Sequence, residues 1–193
     1  MGIISRFPAG ATKPYIEEIY NSDGQLISAN MYGYDAIRDS AFYDCTNLAL
    51  TSLPSGITSI GSYAFGYCSS LALTSLPSGI TSIGEGAFSN CTNLALTSLP
   101  NGITSIGIGA FEICSSLALT SLPNGITSIG MGAFAGCSSL VSLTFEGTPE
   151  NIGDSTFYGC SNLTTINVPW AEGAVANAPW GATNATIHYG YTG

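Results

Sequence analysis

One pattern of residues recurs six times at a single spacing, and it leaves the chain little choice but to stack. Phe stands at 42, 65, 88, 111, 134 and 157, Cys at 45, 68, 91, 114, 137 and 160, and Leu at 48, 71, 94, 117, 140 and 163. The period is therefore 23 residues without a slip. A unit this short cannot bury an apolar face alone; it does so only by packing against copies of itself above and below. A chain of 193 residues would ordinarily make one or two globular domains. The repeat replaces that expectation with one stacked unit closed by a cap at each end.

Within one coil, Leu48-Ala49-Leu50-Thr51-Ser52-Leu53 is expected to supply a short strand, Pro54-Ser55-Gly56 a turn, and Ile57-Thr58-Ser59-Ile60 a second extended segment. Gly61 to Cys68 then reads as a tight helical turn. Gly at 61, 84, 107, 130 and 153 is expected to hold a bend that a Cβ would strain. Pro at 54, 77, 100 and 123 ends the strand, because it has no N–H to give to a ladder. Ahead of the repeats, Pro14 to Tyr32 shows two β-prone runs around Asp23-Gly24, the signature of a hairpin. After Pro169 the composition changes, and both tryptophans, Trp170 and Trp180, fall in that last stretch. The expected organisation is a tail over 1–13, a hairpin-like cap over 14–35, repeats over 36–169 and a C-terminal cap over 170–193.

A period of 23 lies in the range of leucine-rich solenoids. The units resemble the BspA-like leucine-rich repeats, which read approximately Ile-Gly-x-x-Ala-Phe-x-x-Cys-x-x-Leu-x-x-Ile-x-Ile-Pro. The final copy, from Thr156-Phe157 through Cys160 and Leu163 to Val168-Pro169, follows that pattern most closely. The middle copies read Leu-Ala-Leu-Thr-Ser-Leu-Pro, with Leu50, Leu73, Leu96 and Leu119 one place forward and Thr51, Thr74, Thr97 and Thr120 where the family usually has Ile. The resemblance implies a β-rich leucine-rich repeat solenoid, here of six coils with short parallel strands and tight helical turns. It also implies a non-enzymatic binding or adhesion module at the bacterial cell surface, with a protein or glycan partner. The alternative is a structural or receptor-tip component of a phage or prophage appendage.

Charge narrows the partners. Twelve acids against three bases (Arg6, Lys13 and Arg38) give a formal net charge of −9, the opposite of the clustered Lys and Arg that a phosphate backbone requires, so nucleic acid is not expected. No apolar run approaches the roughly 20 residues of a membrane-spanning helix, and the opening Met1 to Pro8 has too short an apolar segment for a signal peptide. The six cysteines share one phase. They read as small buried core fillers, within reach of a disulfide between neighbouring coils. Their spacing offers no metal site, and no cofactor is expected.

Nothing in the chain suggests catalysis. His188 is the only histidine and has no Ser or Cys partner by spacing. Glu17 and Glu18 alternate along a strand, and Glu85, Glu112, Glu146, Glu150 and Asp154 fall at unmatched phases, so no acid pair for glycoside chemistry is implied. The Thr and Ser columns at 58, 81, 104, 127 and 59, 82, 105, 128 read as cross-strand hydrogen bonding and β-branched packing.

Partner-specific information is expected where near-identical copies disagree. One phase reads Asp39, Ser62, Glu85, Ile108, Met131, Asp154; two others read Tyr43, Gly66, Ser89, Glu112, Ala135, Tyr158 and Asp44, Tyr67, Asn90, Ile113, Gly136, Gly159. Such unlike residues at equivalent positions imply solvent exposure. Tyr43, Tyr63, Tyr67, Ile108, Ile113 and Met131 are therefore the candidate partner-binding residues.

Overall fold

The computed structural model describes residues 2–4 and 15–193. The repeats wind as a β-solenoid of about seven turns with parallel strands. One sheet runs along the stack, joining β4 (Ala36–Ile37), β5 (Ser59–Ile60), β6 (Ser82–Ile83), β7 (Ser105–Ile106), β9 (Ser128–Ile129) and β11 (Asn151–Ile152). Its register follows the repeat: Ser59 faces Ser82 and Ile60 faces Ile83, then Ser105 and Ile106 follow in line. A second sheet covers only the C-terminal coils and orders β8 (Ser121–Leu122), β10 (Ser142–Phe145), β12 (Thr165–Val168) and β13 (Thr186–Tyr189) side by side.

Apolar spacing explains why this second sheet stops short. Leu73 and Leu76 are both buried but three residues apart, so two exposed residues, Thr74 and Ser75, lie between them and the backbone cannot pleat. The strand expected over Leu48 to Leu53 meets the same spacing, Leu50 to Leu53, and is not formed. Neighbouring coils there share single bonds, such as Ala72 N–H to Leu50 O at 3.0 Å. Leu143 and Phe145, or Ile166 and Val168, are two apart and form four-residue strands, whereas Leu119 and Leu122, three apart, leave only the two-residue β8 at the edge of the sheet.

The core is a set of columns. Phe42, Phe65, Phe88, Phe111, Phe134 and Phe157 stack with ring centroids 5.2 to 5.7 Å apart and planes within 9° of parallel. Ile57, Ile60, Ala64, Cys68 and Leu71, with their equivalents in the three following coils, surround that column and are buried, while in the first coil Cys45 is half-buried and Ala41 exposed. Each buried Phe or Leu contributes roughly 1.5 to 3 kcal/mol, and no coil reaches that burial without its neighbours.

The turns expected to be helical are not: among the described residues there is no helix. Alternate N–H groups explain the difference. Ala64, Gly66 and Cys68 donate three residues back to Gly61, Tyr63 and Phe65, whereas Tyr63, Phe65 and Tyr67 donate out of the coil to Glu85, Ala87 and Ser89 of the next one. A helix would keep every N–H inside its own turn. Here every second one ties the stack together, and a left-handed residue at each of two positions per turn makes that alternation possible.

The glycine column also has a different cause from the one expected. Gly61, Gly84, Gly107, Gly130 and Gly153 are not in the left-handed region; they are places where coils touch. A Cβ on Gly84 would lie 2.6 Å from the carbonyl carbon of Gly61 and from the nitrogen of Ser62.

At the N-terminal end, β1 (Gly2–Ile4), β2 (Tyr15–Tyr20) and β3 (Leu26–Tyr32) form an antiparallel sheet in that order. Asn21 closes the turn between β2 and β3, its side-chain oxygen accepting the N–H of Asp23 and of Gln25. Gly2–Ile4 pair with β2 inside the stretch expected as a tail, while residues 5–13 of that stretch lie outside the described residues. At the other end Trp180, 23 residues after Phe157, is buried and its carbonyl accepts the Phe157 N–H at 2.9 Å. The C-terminal segment thus continues the period, with Phe145, Trp170 and Trp180 packed at centroid distances of 5.2 to 6.2 Å.

Candidate partner-binding face

The tight turns align into one face of the solenoid, and its backbone is unusual. In every coil two positions have φ between 53° and 73°: the column Ser40, Tyr63, Gly86, Gly109, Gly132, Ser155 and the column Asp44, Tyr67, Asn90, Ile113, Gly136, Gly159. Gly, Asn and Asp enter this left-handed region at little cost, whereas a bulky or β-branched residue there is an outlier. Four copies of the second column obey that rule, and Tyr67 and Ile113 break it.

The first two coils carry an aromatic cluster. Tyr43 meets Tyr67 edge-on at 5.5 Å and Tyr63 edge-on at 6.4 Å. Each ring leans toward the following coil: Tyr43 covers Gly66 and Tyr63 covers Gly86. Those glycines are buried for that reason, and Ser89, at the phase of Tyr43, is buried too with its hydroxyl oxygen accepting a bond from the Asn90 amide. Variation between copies therefore does not mark exposure at every coil, because a large residue in one coil shields a small one in the next. Tyr43, Tyr63 and Tyr67 nonetheless keep 38 to 49% of their surface. The Tyr63 hydroxyl donates to Glu85 Oε1 at 3.0 Å, and that bond, followed by the Glu85 charge itself and a smaller contribution from Glu112, raises the phenol pKa above its ordinary value.

Farther along, the face turns aliphatic. Ile108 and Met131 occupy one column in successive coils and are 50 and 55% exposed, and Ile113 stands in the Tyr67 column at 44%. The side chain of Ile113 leans over Gly136 as the tyrosines do over theirs. Tyr43 thus touches both Tyr63 and Tyr67, and the three aliphatic residues continue the same face two to three coils beyond Tyr63. Two residues outside the candidate set belong with them: Glu85, through its bond to Tyr63, and Tyr158, at 66% the most exposed large hydrophobic side chain among the described residues, in the column of Tyr43. The second could have been found from sequence, as a tyrosine at a position other copies fill with Gly, Ser or Ala.

Other residues weighed in the sequence have structural uses. Thr58, Thr81, Thr104 and Thr127 each donate a side-chain hydroxyl to a backbone carbonyl of the preceding coil at 3.0 to 3.5 Å. The cysteines do more than fill space: Cys68, Cys91, Cys114, Cys137 and Cys160 donate their thiols to the carbonyls of Phe42, Phe65, Phe88, Phe111 and Phe134 at 2.9 to 3.1 Å. All six are free thiols. Desolvation pushes Cys68 up to about 12 and Cys160 to about 11, and raises Cys91, Cys114 and Cys137 as well. His188 is exposed on β13, opposite Asn167. Among the described residues no His, Cys, Asp and Glu group is arranged to hold a metal ion, and no helix is long and apolar enough to cross a membrane.

The coil geometry and the repeated Phe, Cys and Leu columns define a leucine-rich repeat solenoid. More narrowly, six copies of the BspA type leucine rich repeat region match residues 35–164, and the chain belongs to that family. A leucine-rich repeat protein of Bacteroides ovatus superposes with a TM-score of 0.62 at 25% identity, over 83% of this chain and 47% of that one. The Treponema pallidum leucine rich repeat protein gives 0.58 at 26%, over 82% of this chain and 91% of its own. A leucine rich cell surface protein of Faecalibacterium prausnitzii gives 0.53 at 25%, over 83% and 56%. This chain therefore spans about half the length of the Bacteroides and Faecalibacterium proteins. No curated protein sequence matches it.

Proposed function

We propose that the chain is a non-enzymatic binding module displayed at a bacterial cell surface, and that it meets a protein partner with its tight-turn face. One observation carries this reading. Tyr67 and Ile113 stand at left-handed positions that packing allows to be Asn or Gly, as Asn90 and Gly136 demonstrate one coil away. Holding a bulky residue there costs about 1 to 2 kcal/mol. Both side chains remain more than two-fifths exposed, so what folding gains from them does no more than offset that strain. Strain kept in place at a surface is a mark of function. The surface location is supported by membership in the BspA-type family and by the likeness to the Faecalibacterium cell surface protein.

The test is a solid-phase array of host matrix proteins and glycans, probed with the purified chain and with its Tyr67→Asn, Ile113→Gly variant. A protein that binds the first and not the second supports the reading. Equal binding of both would move the contact off this face, and silence across the array would refute a binding role.

A further inference from the structure

The turn face carries two chemistries in sequence along the stack, and together they define the kind of segment it takes. Around the tyrosine cluster stand Asp39, Asp44 and Glu85, with Glu112 two coils beyond Tyr63, all exposed, and the Glu85 and Glu112 charges are both felt at the Tyr63 hydroxyl. Among the described residues Arg38 is the single lysine or arginine, so within that part of the chain these carboxylates have one cation to share. Exposed tyrosine rings beside carboxylates suit a guanidinium or ammonium group, which gains from the ring faces and from the charge at once. Two to three coils beyond Tyr63, the Ile108, Ile113 and Met131 side chains themselves offer neither a flat ring nor a charge, only apolar surface.

We propose that this face binds an extended polypeptide segment with arginine or lysine over Tyr43, Tyr63, Tyr67 and Glu85 and apolar residues over Ile108, Ile113 and Met131. The inference rests on the binding-module reading and adds the partner's chemistry and the spacing of its groups. A neutral glycan would account for the tyrosines, but it leaves the unmatched acids and the aliphatic end without a role. The geometry sets the spacing. The intervening Phe rings step by 5.4 to 5.5 Å, which places the coil of Met131 about 16 Å beyond that of Tyr63. An extended chain rises about 3.3 Å per residue, so the basic group and the apolar group over Met131 lie roughly five residues apart.

Other coils supply fold-compatible replacements. Tyr43→Ala, Tyr63→Gly, Tyr67→Asn and Glu85→Ser each install the residue found at the same position as Ala135, Gly86, Asn90 and Ser62. The probe is a fluorescein-labelled synthetic peptide with two arginines followed roughly five residues later by two leucines, read by anisotropy against the full chain. Controls are the same peptide with glutamates for the arginines, the same with serines for the leucines, and a labelled chito-oligosaccharide.

The expected result is saturable binding of the first peptide, roughly tenfold weaker for either control peptide and for the four-residue variant, and weakening as salt rises from about 50 to about 300 mM. Binding unaffected by the arginine-to-glutamate change, or no peptide binding at all, overturns the proposal. Saturation by the oligosaccharide alone, lost in the variant, overturns the partner class while leaving the face as a binding surface. Peptide binding retained by the variant overturns the face itself.

Discussion

Placing one methyl group between two coils tests how closely this stack is packed. A Cβ on Gly107 would lie 2.5 Å from the Glu85 nitrogen and 2.6 Å from the Gly84 carbonyl carbon, where ordinary contact begins at 3.4 Å. Both neighbours are backbone, so no side chain can swing aside, and Gly107→Ala must open the seam by about an ångström. The Gly107 N–H to Ile83 O bond, now 2.9 Å, would then exceed hydrogen-bonding distance. Losing that bond and the contacts around it gives an expected cost of about 2 to 4 kcal/mol. Gly79→Ala is the internal control: its Cβ would meet Ile57 O at 3.5 Å and Thr58 Cγ2 at 3.6 Å, with no unusual φ. That change should be neutral or stabilise by up to about 1 kcal/mol, because alanine restricts the unfolded chain more than glycine does. Urea denaturation followed by circular dichroism measures both. Equal midpoints for the two variants would refute coil contact as the reason for the glycine column.

Three further outcomes follow from the same structure. Phe111→Ala, in the middle of the aromatic column, should cost about 3 to 5 kcal/mol by urea denaturation, whereas Tyr158→Ala, at 66% exposure, should stay within about 0.5. The buried thiols have folded pKa values above the ordinary 9.0, near 12 for Cys68 and 11 for Cys160. Their contribution is intact below about pH 9 and is lost as pH rises through 9 towards 11 to 12, at roughly 1.4 kcal/mol per pH unit per thiol. Urea midpoints at pH 8 and pH 10.5 should therefore fall steeply for the wild type and less steeply after Cys91, Cys114 and Cys137 are changed to Ala; parallel slopes would contradict the assignment. Ile113→Asn should leave the melting temperature nearly unchanged, since relief of about 1 to 2 kcal/mol of backbone strain offsets the loss of a half-exposed side chain worth about 1.

The stack and its core columns were legible because Phe, Cys and Leu repeat in phase, and phase alone decides which residues meet between coils. The turns were misread as helical because sequence spacing shows which residues point inward but not where alternate N–H groups go. Tyr63, Phe65 and Tyr67 send theirs to the next coil, a choice made by the stack rather than by local propensity. The same limit applies to the glycines at 61, 84, 107, 130 and 153: their invariance across copies was plain, but contact between coils, unlike a backbone bend, depends on coordinates. On the candidate face, disagreement between copies led to Tyr43, Tyr63 and Tyr67. It could not reveal that Tyr63 shields Gly86 or binds Glu85, because both contacts cross from one coil to the next. Trp180 was within reach of the sequence, 23 residues beyond Phe157, but a change of residue type hid the continuing period.

The central claim is that the core columns build the scaffold and the turn face meets the partner. The most direct measurement replaces all six face residues with residues that other coils carry at the same positions: Tyr43→Ala, Tyr63→Gly, Tyr67→Asn, Ile108→Ser, Ile113→Gly and Met131→Ser. Melting and binding to a protein partner from the array are then recorded side by side. The account predicts a folded chain with cooperative melting and no measurable binding. A folded chain that still binds with wild-type affinity would contradict it.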